Sequence, residues 1–140
     1  MSEFIRVSIS EEAHIAEARR HALLLARNLG FSRTDAYHLA TAVTELAANI
    51  HHHAGGGEVR LRAVARRGAV GIEVVARDDG PGIADIGLAL RDGFSTAGSL
   101  GCGLPGARRL MDEMEIRSEV GRGTWIRACK WITAAVKIAG

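Results

Sequence analysis

Asp78-Asp79-Gly80-Pro81-Gly82 stands directly behind a β-like run, Val70-Gly-Ile-Glu-Val-Val-Ala76, and this is the feature that most limits what the chain can build. A carboxylate at a strand end followed by Gly-x-Gly sets a hydrogen-bond acceptor beside backbone that a flat ligand can approach closely. The motif alone is weak, because glycine turns commonly follow strands. Its weight comes from its company. Glu45-Leu-Ala-Ala-Asn49 precedes it and Gly101-Cys-Gly103 follows it.

The surrounding pattern gives the layout. Phe4 to Ile9 alternates, with Ile5, Val7 and Ile9 on one face, and reads as a strand. Ser10 is placed to cap a helix that carries Glu11 and Glu12 in its first turn and ends at Gly30. Ser32-x-x-Asp35 opens a second helix with an apolar stripe of Leu39, Val43, Leu46 and Ile50. That helix is expected to stop at Gly55-Gly56-Gly57. Glu58 to Ala65 and Val70 to Arg77 read as a hairpin around Gly68. Ile86 to Leu90 reads as a short helix, Asp92 to Gly103 as a glycine-rich lid, and Leu104 to Met114 as a helix with Pro105 in its first turn. Glu115 to Val120 and Thr124 to Trp131 close the chain as a second hairpin. The order β-α-α-β-β-α-α-β-β, with strands paired through hairpins, implies a two-layer α+β sandwich, one domain over residues 1–140.

Composition narrows the function. At 47% hydrophobic residues the chain can bury one core, and with only 4% aromatic residues that core must be filled by Ala, Leu, Val and Ile. A net charge of +2 gives no ground for nucleic-acid or membrane binding. Cys102 and Cys129 form no metal motif, no basic and apolar leader opens the sequence, and no apolar run is long enough to cross a bilayer. A reduced, cytoplasmic protein is the simplest expectation.

Glu45 and Asn49 are four apart and share one helical face, flanking the apolar stripe. Asn49 offers a neutral oxygen to Mg²⁺, and Glu45 a base for an attacking hydroxyl. Asp78 shares strand parity with Ile72, Val74 and Ala76, so it projects from the core-facing side, and Asp79 points the other way. A carboxylate buried there needs a donor. The exocyclic amine of adenine is one, whereas guanine presents a carbonyl. Gly80 and Gly82 would leave room for the base. Gly98, Gly101 and Gly103, with Leu104 at the helix start, offer backbone N–H groups to phosphate. Consecutive helical residues diverge by about 100°, so His51, His52 and His53 cannot chelate one ion from a regular helix; His53 alone would border the nucleotide. The ordered set reads as an ATP site.

These residues resemble the GHKL ATPase/kinase superfamily, whose ATP-binding domain is the Bergerat fold. Glu45-Leu46-x-x-Asn49-x-x-x-His53-Ala54 is similar to its N box, Asp78-x-Gly80-x-Gly82 to its first glycine box and Gly101-x-Gly103 to its second. Gly121-x-Gly123-Thr124 is similar to its last box, whose threonine helps hold adenine. Asp92-Gly-Phe-Ser-Thr-Ala-Gly-Ser-Leu-Gly-Cys-Gly-Leu-Pro-Gly106 followed by Arg109-Leu-Met-Asp-Glu113 resembles the RsbT-type serine/threonine kinases, the switch kinases of the stressosome. The resemblance implies an ATP- and Mg²⁺-dependent kinase acting on STAS-domain scaffold or antagonist proteins. It also implies that the released kinase binds and activates a PP2C-type phosphatase. Three rivals remain: an anti-sigma-factor kinase of the same superfamily, a histidine kinase fragment, and a non-catalytic nucleotide-regulated interaction module. The Leu104-Pro105-Gly106 string argues against the first, the missing upstream hairpin against the second, and Glu45 against the third.

Overall fold

The computed structural model describes residues 3–91 and 103–132. Strand β1 (Ile5–Ile9) leads into helices α1 (Glu12–Leu29) and α2 (Arg33–Asn49), then a single π-helical turn (Ile50–Ala54). Hairpin β2 (Gly57–Arg66) and β3 (Ala69–Asp78) follows, then the short α3 (Ile86–Ala89), helix α4 (Gly103–Leu110), and hairpin β4 (Glu113–Glu119) and β5 (Gly123–Trp131). The strands form one sheet in the order β1-β2-β3-β5-β4, antiparallel at every step.

Strand alternation sorts the two faces. Val7, Ile9, Val59, Leu61, Ile72, Val74, Ala76, Ile126 and Ala128 point into the core and are buried. The helices meet them with Leu39, Val43, Leu46 and Ile50, the stripe expected from sequence, and with Ala18, Ala22 and Ala26 of α1. Buried alanines four apart on α1 leave room for a close approach of the helices in a core almost without aromatic residues. The other face carries Arg62 and Arg127, whose Nε atoms lie 2.9 and 2.6 Å from the two oxygens of the buried Glu73 carboxylate. The fold is therefore the expected α+β sandwich.

Local differences have local causes. The cap of α1 is Glu11 and not Ser10: the His14 ring nitrogen Nδ1 accepts the backbone N–H groups of both Ser10 and Glu11, at 3.1 and 3.2 Å, shifting the start by one residue. Ser32 caps α2 as expected, its hydroxyl accepting the Asp35 N–H at 3.1 Å. Helix α4 ends at Leu110, not Met114, because the buried Lys130 ammonium donates to the Leu110 carbonyl at 2.8 Å and closes that terminus. Strand β4 consequently starts at Glu113, opposite Cys129, two residues before the expected Glu115. The β2–β3 turn is the two-residue Arg67-Gly68, both left-handed at φ 51° and 83°. The lid expected at Asp92 to Gly103 lies, apart from Gly103, outside the described residues.

Candidate functional site

A cavity of about 280 Å³ opens where α2 and its π-helical turn meet the ends of β3 and β5. That is near the lower end of small-molecule pockets, roughly 300–1,000 Å³. From the helical side it is lined by Leu46, Asn49, Ile50 and His53; from the sheet by Ala76, Asp78, Thr124 and Ile126. Pro81, Gly82 and Ile83 form one wall, and Ala89 and Leu104 close it from α3 and α4. Most of the lining is aliphatic. Polar groups are few and fixed, which suits a flat, partly apolar ligand held by a small number of directed bonds.

Sheet register places the polar groups. Asp78 is paired with Thr124 across β3 and β5, and Thr124 with Ser118 across β5 and β4. The three side chains therefore form one row on the core-facing side. One oxygen of Asp78, Oδ1, accepts the Gly80 N–H at 2.9 Å, which turns the chain sharply out of the strand. Asp79 lies outside the cavity, on an open groove with Arg77 and Arg117. The choice of Asp78 over Asp79 as the group facing the cavity thus follows strand parity.

The two glycines after Asp78 have a nearer reason than room for a ligand. A Cβ on Gly80 would stand 2.5 Å from the Ala54 Cβ, so the turn needs glycine to pass under the π-helical segment. Gly82 has φ 79°, and a Cβ there would meet the Glu119 carbonyl oxygen at 2.4 Å. These contacts tie the loop to the helix end and to the β4–β5 hairpin. The Gly121 N–H adds a bond to the Pro81 carbonyl at 2.8 Å.

The helical side is set by α2. Asn49 closes the α-helix, and its amide nitrogen Nδ2 is buried without a hydrogen-bond partner among the described residues. An orphaned amide at a cavity wall is costly unless something polar enters the cavity. The histidines that follow are not in a regular helix but in the π-helical turn, a form concentrated at functional sites. His53 lines the cavity, and His51 packs its ring against His52 at 5.1 Å between centroids. Burial, helped by His52, holds the His53 pKa below its ordinary 6.5, while the Asp78 carboxylate pulls the other way. Among the described residues no cluster of three His, Cys, Asp or Glu could hold a metal ion.

Glu45 sits one turn before Asn49 and is not part of the cavity wall. Its carboxylate lies against Gly103, the first residue of α4, so close that a Cβ on Gly103 would stand 2.1 Å from Glu45 Oε2. Gly103 and Leu104 thus reach the site together with Glu45, Asn49, His53, Asp78, Gly80, Gly82 and Thr124. Gly98 and Gly101 lie outside the described residues, as does Cys102. Sequence reasoning missed Ser118, which bonds the Ile83 N–H, the Gly123 carbonyl and the Thr124 hydroxyl. A polar residue at a core-facing position of β4 was the available signal.

The cavity, the ordered motifs and the sheet define a nucleotide-binding domain of one class. Residues 9–130 match the histidine kinase-like ATPase domain family, and the chain belongs to it. Within this GHKL class the protein is a serine/threonine kinase of the RsbT type. It is 47% identical over 126 residues to the serine/threonine-protein kinase RsbT of Bacillus subtilis, covering 90% of this chain and 95% of that one. Anti-sigma F factors are also similar: those of Caldanaerobacter subterraneus and Thermoanaerobacter sp. are 34% identical over 100 residues, 67% of this chain and 68% of theirs. Among solved structures, the mycobacterial sensor histidine kinase MprB shares the fold, with a TM-score of 0.54 at 19% identity over 94% of this chain and 97% of that chain. No helix among the described residues is long and apolar enough to cross a membrane.

Proposed function

We propose that the protein transfers the γ-phosphoryl group of ATP to a serine or threonine of a STAS-domain scaffold or antagonist protein. It acts in the cytoplasm, within a stressosome-type complex, and after release it binds and activates a PP2C-type phosphatase. The observation that carries the reading is the meeting of Asn49 and His53 with Asp78 and Thr124 around one cavity, with Glu45 one helical turn away at the start of α4.

On this reading the Asp78 carboxylate accepts the exocyclic amine of adenine, and Leu46, Ile50, Ala76 and Ile126 enclose the base. Gly103 and Leu104 present the first backbone N–H groups of α4 to phosphate. Asn49 would offer its amide oxygen to Mg²⁺, which takes one or two protein oxygens together with substrate phosphates and water. Its buried Nδ2, without a partner among the described residues, is a donor for a phosphate oxygen. When bound, the ion would neutralise charge on the phosphates. Glu45 orients the substrate hydroxyl and takes its proton as the new oxygen–phosphorus bond forms. The bond from the γ-phosphorus to the bridging oxygen breaks, and ADP leaves.

The test is to incubate the protein with Mg-ATP and the STAS-domain proteins of its own genome, and to map phosphosites by mass spectrometry. Glu45→Ala should still bind nucleotide but lose transfer by about 10²–10⁴-fold, the scale of a lost general base. Absence of any phosphoserine or phosphothreonine, or wild-type transfer by Glu45→Ala, defeats the reading. The likeness to anti-sigma F factors supports a second reading, a kinase that also sequesters a sigma factor. A pull-down with the purified sigma factors separates the two.

A further inference from the structure

The hydrogen bonds around Ser118 are enough to assign its hydroxyl hydrogen and that of Thr124. Its Oγ lies 2.7 Å from the Ile83 nitrogen, 3.0 Å from the Gly123 carbonyl oxygen and 2.8 Å from the Thr124 Oγ1. A serine hydroxyl has one hydrogen and two acceptor sites. The Ile83 N–H can only donate, so it takes one acceptor site. The Gly123 carbonyl can only accept, so it takes the single hydrogen. What is left for Thr124 is the second acceptor site, and the Thr124 hydroxyl must therefore be the donor in that pair. Its hydrogen is turned toward Ser118, and Thr124, a wall residue of the cavity, has only lone pairs left to offer there.

Beside it stands Asp78, its partner across β3 and β5. The Asp78 Oδ1 already accepts the Gly80 N–H, and a carboxylate has no hydrogen to donate. This corner of the cavity is thus made of acceptors on both strands.

We infer that Ser118 is a positioning residue for base selection: by fixing the Thr124 hydroxyl as an acceptor next to Asp78, it restricts the base end of the cavity to ligands that present a donor there. This deepens the adenine-nucleotide reading above and rests on it. A 6-amino purine supplies such a donor. A 6-oxo purine in the same pose sets a carbonyl oxygen against two acceptors, and a site left with unpaired polar groups rejects such a ligand strongly. Without Ser118 the Thr124 hydroxyl regains its rotation. It can then donate to the carbonyl of a 6-oxo purine, so discrimination weakens even though Asp78 is untouched.

The experiment measures calorimetric dissociation constants of the full chain for Mg-ATP and Mg-ITP, which differ at the base only in the 6-substituent and the accompanying N1 proton. The quantity read is their ratio. Ser118→Ala should lower the preference for ATP by about tenfold, the worth of one hydrogen bond. Ser118→Thr, which keeps the hydroxyl, should restore it. Thr124→Val should lower the ratio by a similar factor, and the double variant Ser118→Ala/Thr124→Val should add nothing to either. A purely structural Ser118 would weaken both nucleotides alike and leave the ratio unchanged, which overturns the inference. Additive effects of the two substitutions on the ratio would overturn it as well. Should Ser118→Ala not fold, Thr124→Val decides alone, since an unchanged ratio there removes the basis of the proposal. If the wild-type protein binds neither nucleotide, it is the adenine-nucleotide reading itself that has failed.

Discussion

On the proposed reading, Gly103→Ala isolates the contact that positions Glu45 at the chemical end of the site. The added methyl group would stand 2.1 Å from Glu45 Oε2 and 3.1 Å from both Glu45 Cβ and Cδ. Non-bonded heavy atoms settle at about 3.5–4.0 Å, so the carboxylate must withdraw by more than about 1 Å. Its side chain is flexible, and the backbone of α4 need not move. Alanine is no worse than glycine at a helix start, so the variant should fold and melt close to the wild type. The cost falls on geometry: a displacement of about 1 Å in a positioned group can reduce a reaction by on the order of 10²-fold. Transfer to the protein substrate should therefore drop about 100-fold. Affinity for ADP should stay within a few-fold, because alanine keeps the backbone N–H that position 103 would offer to phosphate and this residue is not part of the cavity wall. Radiolabelled phosphotransfer and calorimetry read the two quantities separately. The reasoning also demands coupling: in a Glu45→Ala background, Gly103→Ala should have no further effect on transfer. Wild-type transfer by the single variant, or independent losses in the double variant, would refute the role given to this contact.

Two more outcomes follow from the cavity. Asp78→Asn should weaken ATP binding by about 1–3 kcal/mol, the range for a hydrogen bond to a charged group, and equal calorimetric affinity of the wild type for ATP and GTP would contradict the role of Asp78. His53 has its pKa lowered from 6.5, chiefly by burial, so the unfolded chain takes up the proton first as pH falls. Its contribution to stability is intact above pH 6.5 and is lost as pH drops through the lower folded value, with stability rising with pH across that window. Denaturant melts from pH 5 to 8 should show a shallower slope for His53→Asn, and an identical slope would place the titration elsewhere.

Much of the fold was legible because its signals are local. Strand alternation, the Leu39-Val43-Leu46-Ile50 stripe, the Ser32 cap and the glycine at position 30 each act within a few residues, and each appears as read. The same is true of Asp78, whose direction follows from parity within one strand. What was not legible depends on distant partners. The end of α4 is fixed by Lys130, twenty residues on. Gly80 answers to Ala54, and Gly103 to Glu45, so their need for glycine is invisible in the motifs that contain them. The start of α1 is a competition between two capping residues, decided by the His14 ring. The π-helical turn has no pattern of its own: three histidines look alike in either helix type, and the widened turn is held between a sheet and a loop that sequence separates from it.

On the proposed reading the site has a base end and a chemical end, these rest on different parts of the fold, and this has a physical consequence. The base end is a sheet feature: Asp78, Thr124 and Ser118 occupy consecutive strands in one row, and ladder hydrogen bonds on β3, β5 and β4 fix their spacing. The chemical end is a helix feature, set by where the start of α4 meets α2 at Gly103 and Glu45. Among the described residues α2 and the turn after it touch both, through Leu46, Asn49, Ile50 and His53, and α4 itself reaches the cavity through Leu104. A shift of α4 would therefore change the position of Glu45 relative to its substrate while leaving the row of acceptors in place. Strand register is far harder to alter, because slipping by one residue turns every side chain to the opposite face. Control of the proposed kinase by a protein partner is thus expected to act through α4 and on transfer, with base preference unchanged.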